Sequence, residues 1–271
     1  NYRDHNDTDK QHVALKLQHV IQGYSSYLAL SSTDDHLQTA GALLNSELDA
    51  SRTQSLSFYQ NDYFDTRTHV LALGFEKPVS DTQKLNVDFS KRVTDREFIQ
   101  AFRPFTPSLS TQDRDTKVFT TRYQIKSDRL TTILGFNLEQ TDYSLVTSLG
   151  PQNIDQSITD VYVYHHFDIT HASQIQGGYR HSRQDADITP DNFDDSLSVF
   201  SLGYRWLHNQ WKLTARADQN YRYPTVEEHT NVPFGQPAGL KTQQGISYEL
   251  SAEYSSTGVR YRTTIYTIRL E

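Results

Sequence analysis

The 271 residues contain no cysteine and no methionine. Without cysteine there is no disulfide framework and no thiolate metal site, and the redox compartment is left open. No apolar run exceeds a few residues, which excludes a transmembrane helix, since one needs about 20. Hydrophobic residues make up 35% of the chain and the mean hydropathy is -0.69, too low for a thick dry core. Positive charge is in deficit, with a net charge of -7; nucleic-acid binding calls for basic patches and is disfavoured. The chain lacks a nucleophile elbow, a phosphate-cradling glycine loop and an HExxH helix, so an enzyme is not expected. It shows no repeat of fixed period, which removes support for propellers and solenoids. It opens polar and charged at Asn1-Tyr2-Arg3-Asp4, with no secretory leader. Together with the missing methionine, this start is expected of a mature piece or a fragment of an exported protein.

What is present is aromatic and alternating. Seventeen tyrosines and 13 phenylalanines are far from a disordered composition. From Trp211 to Arg222 one set of alternate residues reads Trp211, Leu213, Ala215, Ala217, and the other Lys212, Thr214, Arg216, Asp218, Asn220, Arg222. Leu85, Val87 and Phe89 separate in the same way from Lys84, Asn86, Asp88 and Ser90, as do Ile246, Tyr248, Leu250 and Ala252 from Ser247, Glu249 and Ser251. Helical spacing would scatter these sets, whereas a pleated strand divides them. The pattern predicts strands at 12–20, 23–32, 53–61, 67–77, 82–94, 117–126, 129–141, 158–168, 173–184, 196–207, 211–223 and 244–254, and a further one from 259 onward. Their expected length of about 9–13 residues suits a tilted membrane crossing.

Tight turns at 22–23, 78–81, 127–128, 170–172, 208–210 and 255–258 alternate with longer polar segments at 33–52, 95–116, 142–157, 185–195 and 224–243. Membrane barrels have this rhythm, with short periplasmic turns and long extracellular loops. Trp206, Trp211, Tyr254 and Tyr261 flank two tight turns and suit an interfacial girdle, or else are core aromatics beside hairpins. The polar side carries charges of both signs, among them Lys84, Asp88, Arg122, Arg180, Arg216, Asp218, Glu249 and Glu253. Unpaired charges are costly to bury, so this side faces a wide hydrated lumen, a polar domain within it, or the solvent around a soluble sheet.

The expected fold class is therefore all-β, an antiparallel transmembrane β-barrel with about 12–13 strands in this chain. A self-closed porin-like or autotransporter pore and a soluble β-sandwich or adhesin are the alternatives. Candidate site residues lie in the predicted extracellular loops. His229, beside Glu227 and Glu228, is placed to hold an iron-bearing ligand or is a solvated loop histidine. Asp185, Asp187 and Asp191, with Asp194 and Asp195, would suit calcium or are simply an acidic loop. His165 and His166 are adjacent on a strand and point to opposite faces, so they cannot chelate one ion together.

The segment Tyr221-Arg222-Tyr223-Pro224-Thr225-Val226-Glu227-Glu228 resembles the Phe-Arg-Ala-Pro-Thr-x-x-Glu-Leu motif found late in the barrel of TonB-dependent outer-membrane receptors. Gly239-Leu240-Lys241-Thr242-Gln243 and Ser247-Tyr248-Glu249-Leu250 follow in the family's order. Tyrosines replace the family's Phe and Ala around Arg222, Thr-Gln replaces Pro-Glu, and the Asn-Pro pair before Leu-Lys is missing. The resemblance implies a barrel of about 22 strands in the Gram-negative outer membrane, of which residues 1–271 are one part, with an N-terminal plug domain outside this chain. It implies lipid bilayer, lipopolysaccharide and the TonB complex as partners, the last through the plug. It implies no required cofactor and no nucleic acid. The transported ligand would be a ferric siderophore, haem or cobalamin, contacted by Arg222, Tyr223, Glu227, Glu228 and His229; His229 sits roughly where haem receptors of the family place a histidine.

Overall fold

The computed structural model describes residues 3–101, 107–188, 192–230 and 240–270. Twelve strands follow one another: β1 (Thr8–Ile21), β2 (Tyr24–Gln38), β3 (Tyr63–Ser80), β4 (Gln83–Ile99), β5 (Leu109–Lys126), β6 (Leu130–Thr147), β7 (Gly150–Thr170), β8 (Ser173–Ile188), β9 (Phe193–His208), β10 (Trp211–Arg222), β11 (Gln243–Ser256) and β12 (Val259–Leu270). Two short helices, α1 (Asn45–Ala50) and α2 (Val226–Thr230), lie in the connections after β2 and β10. All twelve strands form one sheet in sequential order, each antiparallel to the next. A sandwich would divide them between two sheets. Among the described residues no ladder joins β1 to β12, and a self-closed twelve-stranded pore would need one; the wall is part of a larger barrel.

Register assigns the faces. The row Leu17–Leu28–Leu73–Phe89–Phe119–Leu138 crosses six strands on one side. Phe167–Ile175–Tyr204–Ala215–Leu250–Ile265 continues that side across the other six. Leu202, Leu250 and Ile265 are 62%, 64% and 71% exposed, and an apolar band of this extent is stable only against lipid. The opposite side carries Tyr27–Gly74–Asp88–Thr120–Asn137–Asp160–Ser182 in register. Its charges pair across the wall: Arg122 with Asp88 at 3.8 Å, Lys84 with Glu76 at 2.6 Å and Arg260 with Glu253 at 2.9 Å. The outward row Leu15–Leu30–Leu71 runs on into Lys91, Lys117, Gln140, Ser157, Asp185 and Asp194. One row thus climbs out of the apolar band, as rows must when strands tilt.

The tight turns are as short as expected. Gln22 and Gly23 join β1 to β2 with φ of 48° and 81°, two left-handed residues of the kind that match the twist of a hairpin. Inside, Tyr162 lies flat over the bare backbone of Gly135, where an added Cβ would stand 2.0 Å from the ring; the glycine gives the phenol room to lie along the wall.

Three expectations are corrected. Residues 53–61 form no strand; they are loop with a single 3-10 turn at Ser57–Tyr59. Their two or three alternations offered no partner strand, and Tyr59 turns in to cover Gly41. Arg3 holds this loop by donating to the carbonyls of Gly41 (2.6 Å), Ala40 (3.1 Å) and Gln54 (2.9 Å), and Asp62 ties it to the Ala101 N–H at 3.0 Å. Second, strands run 12–21 residues rather than 9–13. Third, the expected loops 142–157 and 185–195 are largely ladder: β6 reaches Thr147, β7 begins at Gly150, β8 ends at Ile188 and β9 begins at Phe193. Short and long connections therefore do not strictly alternate. These stretches read as loops because both faces turn polar above the lipid, where period two no longer separates apolar from polar.

Leu73, between Leu28 and Phe89 mid-band, is predicted to be intolerant of charge: Leu73→Arg should cost about 2–4 kcal/mol in the intact protein, against about 0–1 for Leu85→Arg near the tight turns. Urea unfolding from liposomes measures both, and equal costs would refute the band's placement.

Candidate functional site

The site is built where β10 leaves its neighbour. β9 and β10 pair from His208 and Trp211 up to Ser201 and Asp218. Beyond that β10 stays with β11 to Arg222, while β9 runs on beside β8 to Phe193. The freed end of β10 swings against the inner wall. The Tyr221 hydroxyl donates to Asp160 on β7 at 3.1 Å, and Asp160 also receives Asn137 at 3.3 Å and lies 3.6 Å from Arg180. At the parting is a cavity of about 480 Å³ lined by Tyr162, Tyr164, Arg180, Phe200, Arg216 and Tyr221, among others. Arg180 lies over the Tyr162 ring at 5.0 Å, and Arg216 pairs with Asp218 at 2.6 Å.

The segment after β10 docks on the same wall. The Pro224 carbonyl accepts from Gln184 at 3.0 Å and from Gln156 at 3.4 Å. Val226 is 1% exposed and fills an apolar pocket of Tyr143, Ile154 and Ala186. Thr225 and Glu228 cap α2 reciprocally: the Thr225 N–H donates to the Glu228 carboxylate at 2.8 Å and the Glu228 N–H donates to the Thr225 hydroxyl at 3.3 Å. This is the Thr-x-x-Glu capping box, so the local sequence dictates the turn of helix.

The five candidate residues are thereby located together. Arg222 donates to Glu228 at 2.7 Å, and Glu227 pairs with Arg114 of β5 at 2.8 Å. The Thr225 N–H and the Arg222 guanidinium hold the Glu228 carboxyl below its ordinary range. Tyr223 and His229 are each only 7% exposed. Burial pushes the Tyr223 phenol up to about 12; Ser182 is its neighbour, but neither hydroxyl completes a hydrogen bond of ordinary geometry. His229 packs its ring 5.4 Å from that of Phe193, its Nε2 is buried with no hydrogen-bond partner among the described residues, and burial pushes its pKa down. The tyrosine and histidine are thus wall contacts, not solvated loop side chains.

The calcium candidates lie elsewhere. Asp185 and Asp194 face each other across β8 and β9 on the outward side, bridged by Arg183 at 2.8 and 2.9 Å. Asp187 lies opposite Asp155, and Asp191 falls outside the described residues. Among the described residues no three His, Asp or Glu side chains converge as a metal site. His165 and His166 do diverge, toward Thr132 at 3.0 Å and Gln174 at 3.4 Å. Sequence reasoning missed Gln156, Asp160, Gln184 and Arg114, which receive the segment. Their only signal is that each falls on the polar set of its strand; the partners lie 40–113 residues away.

Comparison with known proteins places this architecture. The family model "TonB dependent receptor-like, beta-barrel" matches residues 1–271. No curated protein matches. Among solved structures, the unliganded ferric citrate transporter FecA superposes with a TM-score of 0.81 at 16% identity, covering 99% of this chain and 44% of FecA. The copper transporter OprC gives 0.80 at 13% identity, covering 98% and 46%. The ferric yersiniabactin uptake receptor FyuA from Yersinia pestis gives 0.70 at 17%, covering 97% and 45%. The chain thus spans less than half the length of these structures.

Docking of residues 223–230 depends on the Val226 pocket and the Pro224 carbonyl. Val226→Asp, which puts a carboxylate among Tyr143, Ile154 and Ala186, should raise trypsin cleavage after Arg222 at least tenfold while heat-resistant barrel migration persists. Gln184→Leu should weaken docking by about 1–3 kcal/mol, the cost of a buried carbonyl losing its main donor. Unchanged protection in both variants would show that the segment is held by other contacts.

Proposed function

Because the chain belongs to the TonB-dependent receptor β-barrel family, we propose that it forms just over half the wall of an outer-membrane receptor that takes up an iron chelate. Barrels of this family are outer-membrane proteins of Gram-negative bacteria, and the apolar outward band fits that setting. The plug that would close the lumen and engage TonB is assigned to another part of the same polypeptide, and the lipid partners to the outward band. The observation that carries the reading is the match of nearly the whole chain to transporter walls, joined to a lumen face of paired charges and tyrosines. The cavity at the β9–β10 parting offers an anionic chelate two guanidinium groups, Arg180 and Arg216, released from their carboxylate partners Asp160 and Asp218, beside Tyr162 and Tyr164. Arg222, Tyr223, Glu227, Glu228 and His229 serve the ligand in this reading by fixing the rim above that cavity. Direct contact through Arg222, Glu227 or Glu228 would require exchanging the ion pairs each now makes.

Uptake of labelled iron by cells whose own chelate receptors are deleted tests this. The full-length protein should support saturable uptake of ferric citrate or a ferric catecholate, abolished in a TonB-deficient host. Arg216→Ala should raise the half-saturating concentration about tenfold, the loss expected for one charge-assisted contact. Non-saturable uptake independent of TonB would identify a passive pore instead, and saturable uptake of copper but not iron would reassign the ligand.

A further inference from the structure

α2 is five residues long and holds its place by tertiary contacts, since a helix this short has no stability of its own. We propose that the segment Tyr223–Thr230 is a pH-operated latch, docked on the inner wall while His229 is neutral and released when that imidazole takes up a proton.

Each carboxylate of the latch is already matched: Glu227 by Arg114 of β5, and Glu228 by Arg222 of β10 and the Thr225 N–H. The Pro224 carbonyl is matched twice. His229 enters the wall with its Nε2 buried and, among the described residues, without a hydrogen-bond partner. From β9 it meets the Phe193 ring; Asp195 of the same strand receives the Thr242 hydroxyl. β7 and β8 present Ile154, Gln156, Gln184 and Ala186 to this segment, none ionisable. Of their acids, Asp155, Asp185 and Asp187 stand on the outward face, while Asp160 of β7 faces inward and is engaged by Tyr221, Asn137 and Arg180. The Glu228 carboxylate acts on the ring and its field favours the imidazolium, but burial outweighs it. Protonation would put a charge on a buried ring whose Nε2 has no acceptor among the described residues, which is costly.

The sign follows from linkage. The docked ring binds its proton more weakly than the free ring, whose pKa is about 6.5. Docking is therefore at full strength above that pH and weakens as pH falls through it, by at most about tenfold per pH unit, until the docked ring also protonates. Phe193, Val226 and the Gln184–Pro224 bond do not titrate, and the lowered Glu228 keeps its charge over the range.

Hydrogen exchange of the full-length receptor in outer-membrane vesicles tests the latch. The amides of Thr225, Glu228 and His229 are bonded within the docked turn. Their protection, corrected for intrinsic exchange, should fall at least tenfold between pH 7.5 and pH 5.0, while the β7–β8 ladder stays protected. His229→Phe, which keeps a ring against Phe193, should remain protected at both values; His229→Leu gives the same readout if the larger ring disturbs folding. Wild-type protection that is equal at the two pH values overturns the proposal. So does an equal acid loss in either variant, which would assign the release to the carboxylates.

Discussion

Backbone hydrogen bonding in hydrocarbon is the constraint on which the rest of this structure depends. No water reaches the lipid band to satisfy an N–H or C=O, so every strand crossing it must be paired on both sides. Eleven successive ladders meet that demand for β2 to β11, and on one side each for β1 and β12. Once they are set, the pleat leaves no freedom in the side chains: odd positions of β6 face the lumen, even positions the lipid, and a slip of one residue would exchange them. The apolar band, the paired lumen charges and the placement of tyrosines over glycines are consequences of register.

The same logic explains what was legible in the sequence. Within the band the two faces meet different solvents, and Leu85, Val87 and Phe89 declare themselves against Lys84, Asn86 and Asp88. Above it both faces meet water, and the upper parts of β6, β7 and β8 lose the contrast although their ladders continue. Residues 53–61 show the opposite error, where a brief alternation mimicked a strand that had no neighbour to pair with. The motif Tyr221–Glu228 was legible as a unit, and its Thr225–Glu228 cap is local chemistry. Its receiving surface was not: Gln156, Gln184 and Arg114 are ordinary polar strand residues until the wall brings them under one turn of helix.

The parting of β9 and β10 is where regular architecture gives way to a site. Giving up the ladder above Asp218 frees one strand end to cross the lumen wall, and its lost pairing is offset by Tyr221 on Asp160 and by Val226 in its pocket. The cost is local: the first N–H past the parting, that of Phe200, donates to the Gln219 side chain at 2.9 Å instead of to the ladder. A parting of this kind within the hydrocarbon would leave backbone groups with no partner.

The row that begins Leu15–Leu30–Leu71 and ends in Lys91, Lys117, Asp185 and Asp194 also fixes how deep the barrel sits. Sinking the wall by one residue pair would carry several of these charges toward the acyl chains at once, at about 2.5–3.5 kcal/mol for each one that reached the centre. Raising it would lift Trp206, Trp211 and Tyr254 out of the opposite interface. Immersion is thus held in a steep well from both directions, and a pull applied along the barrel axis meets an anchored wall.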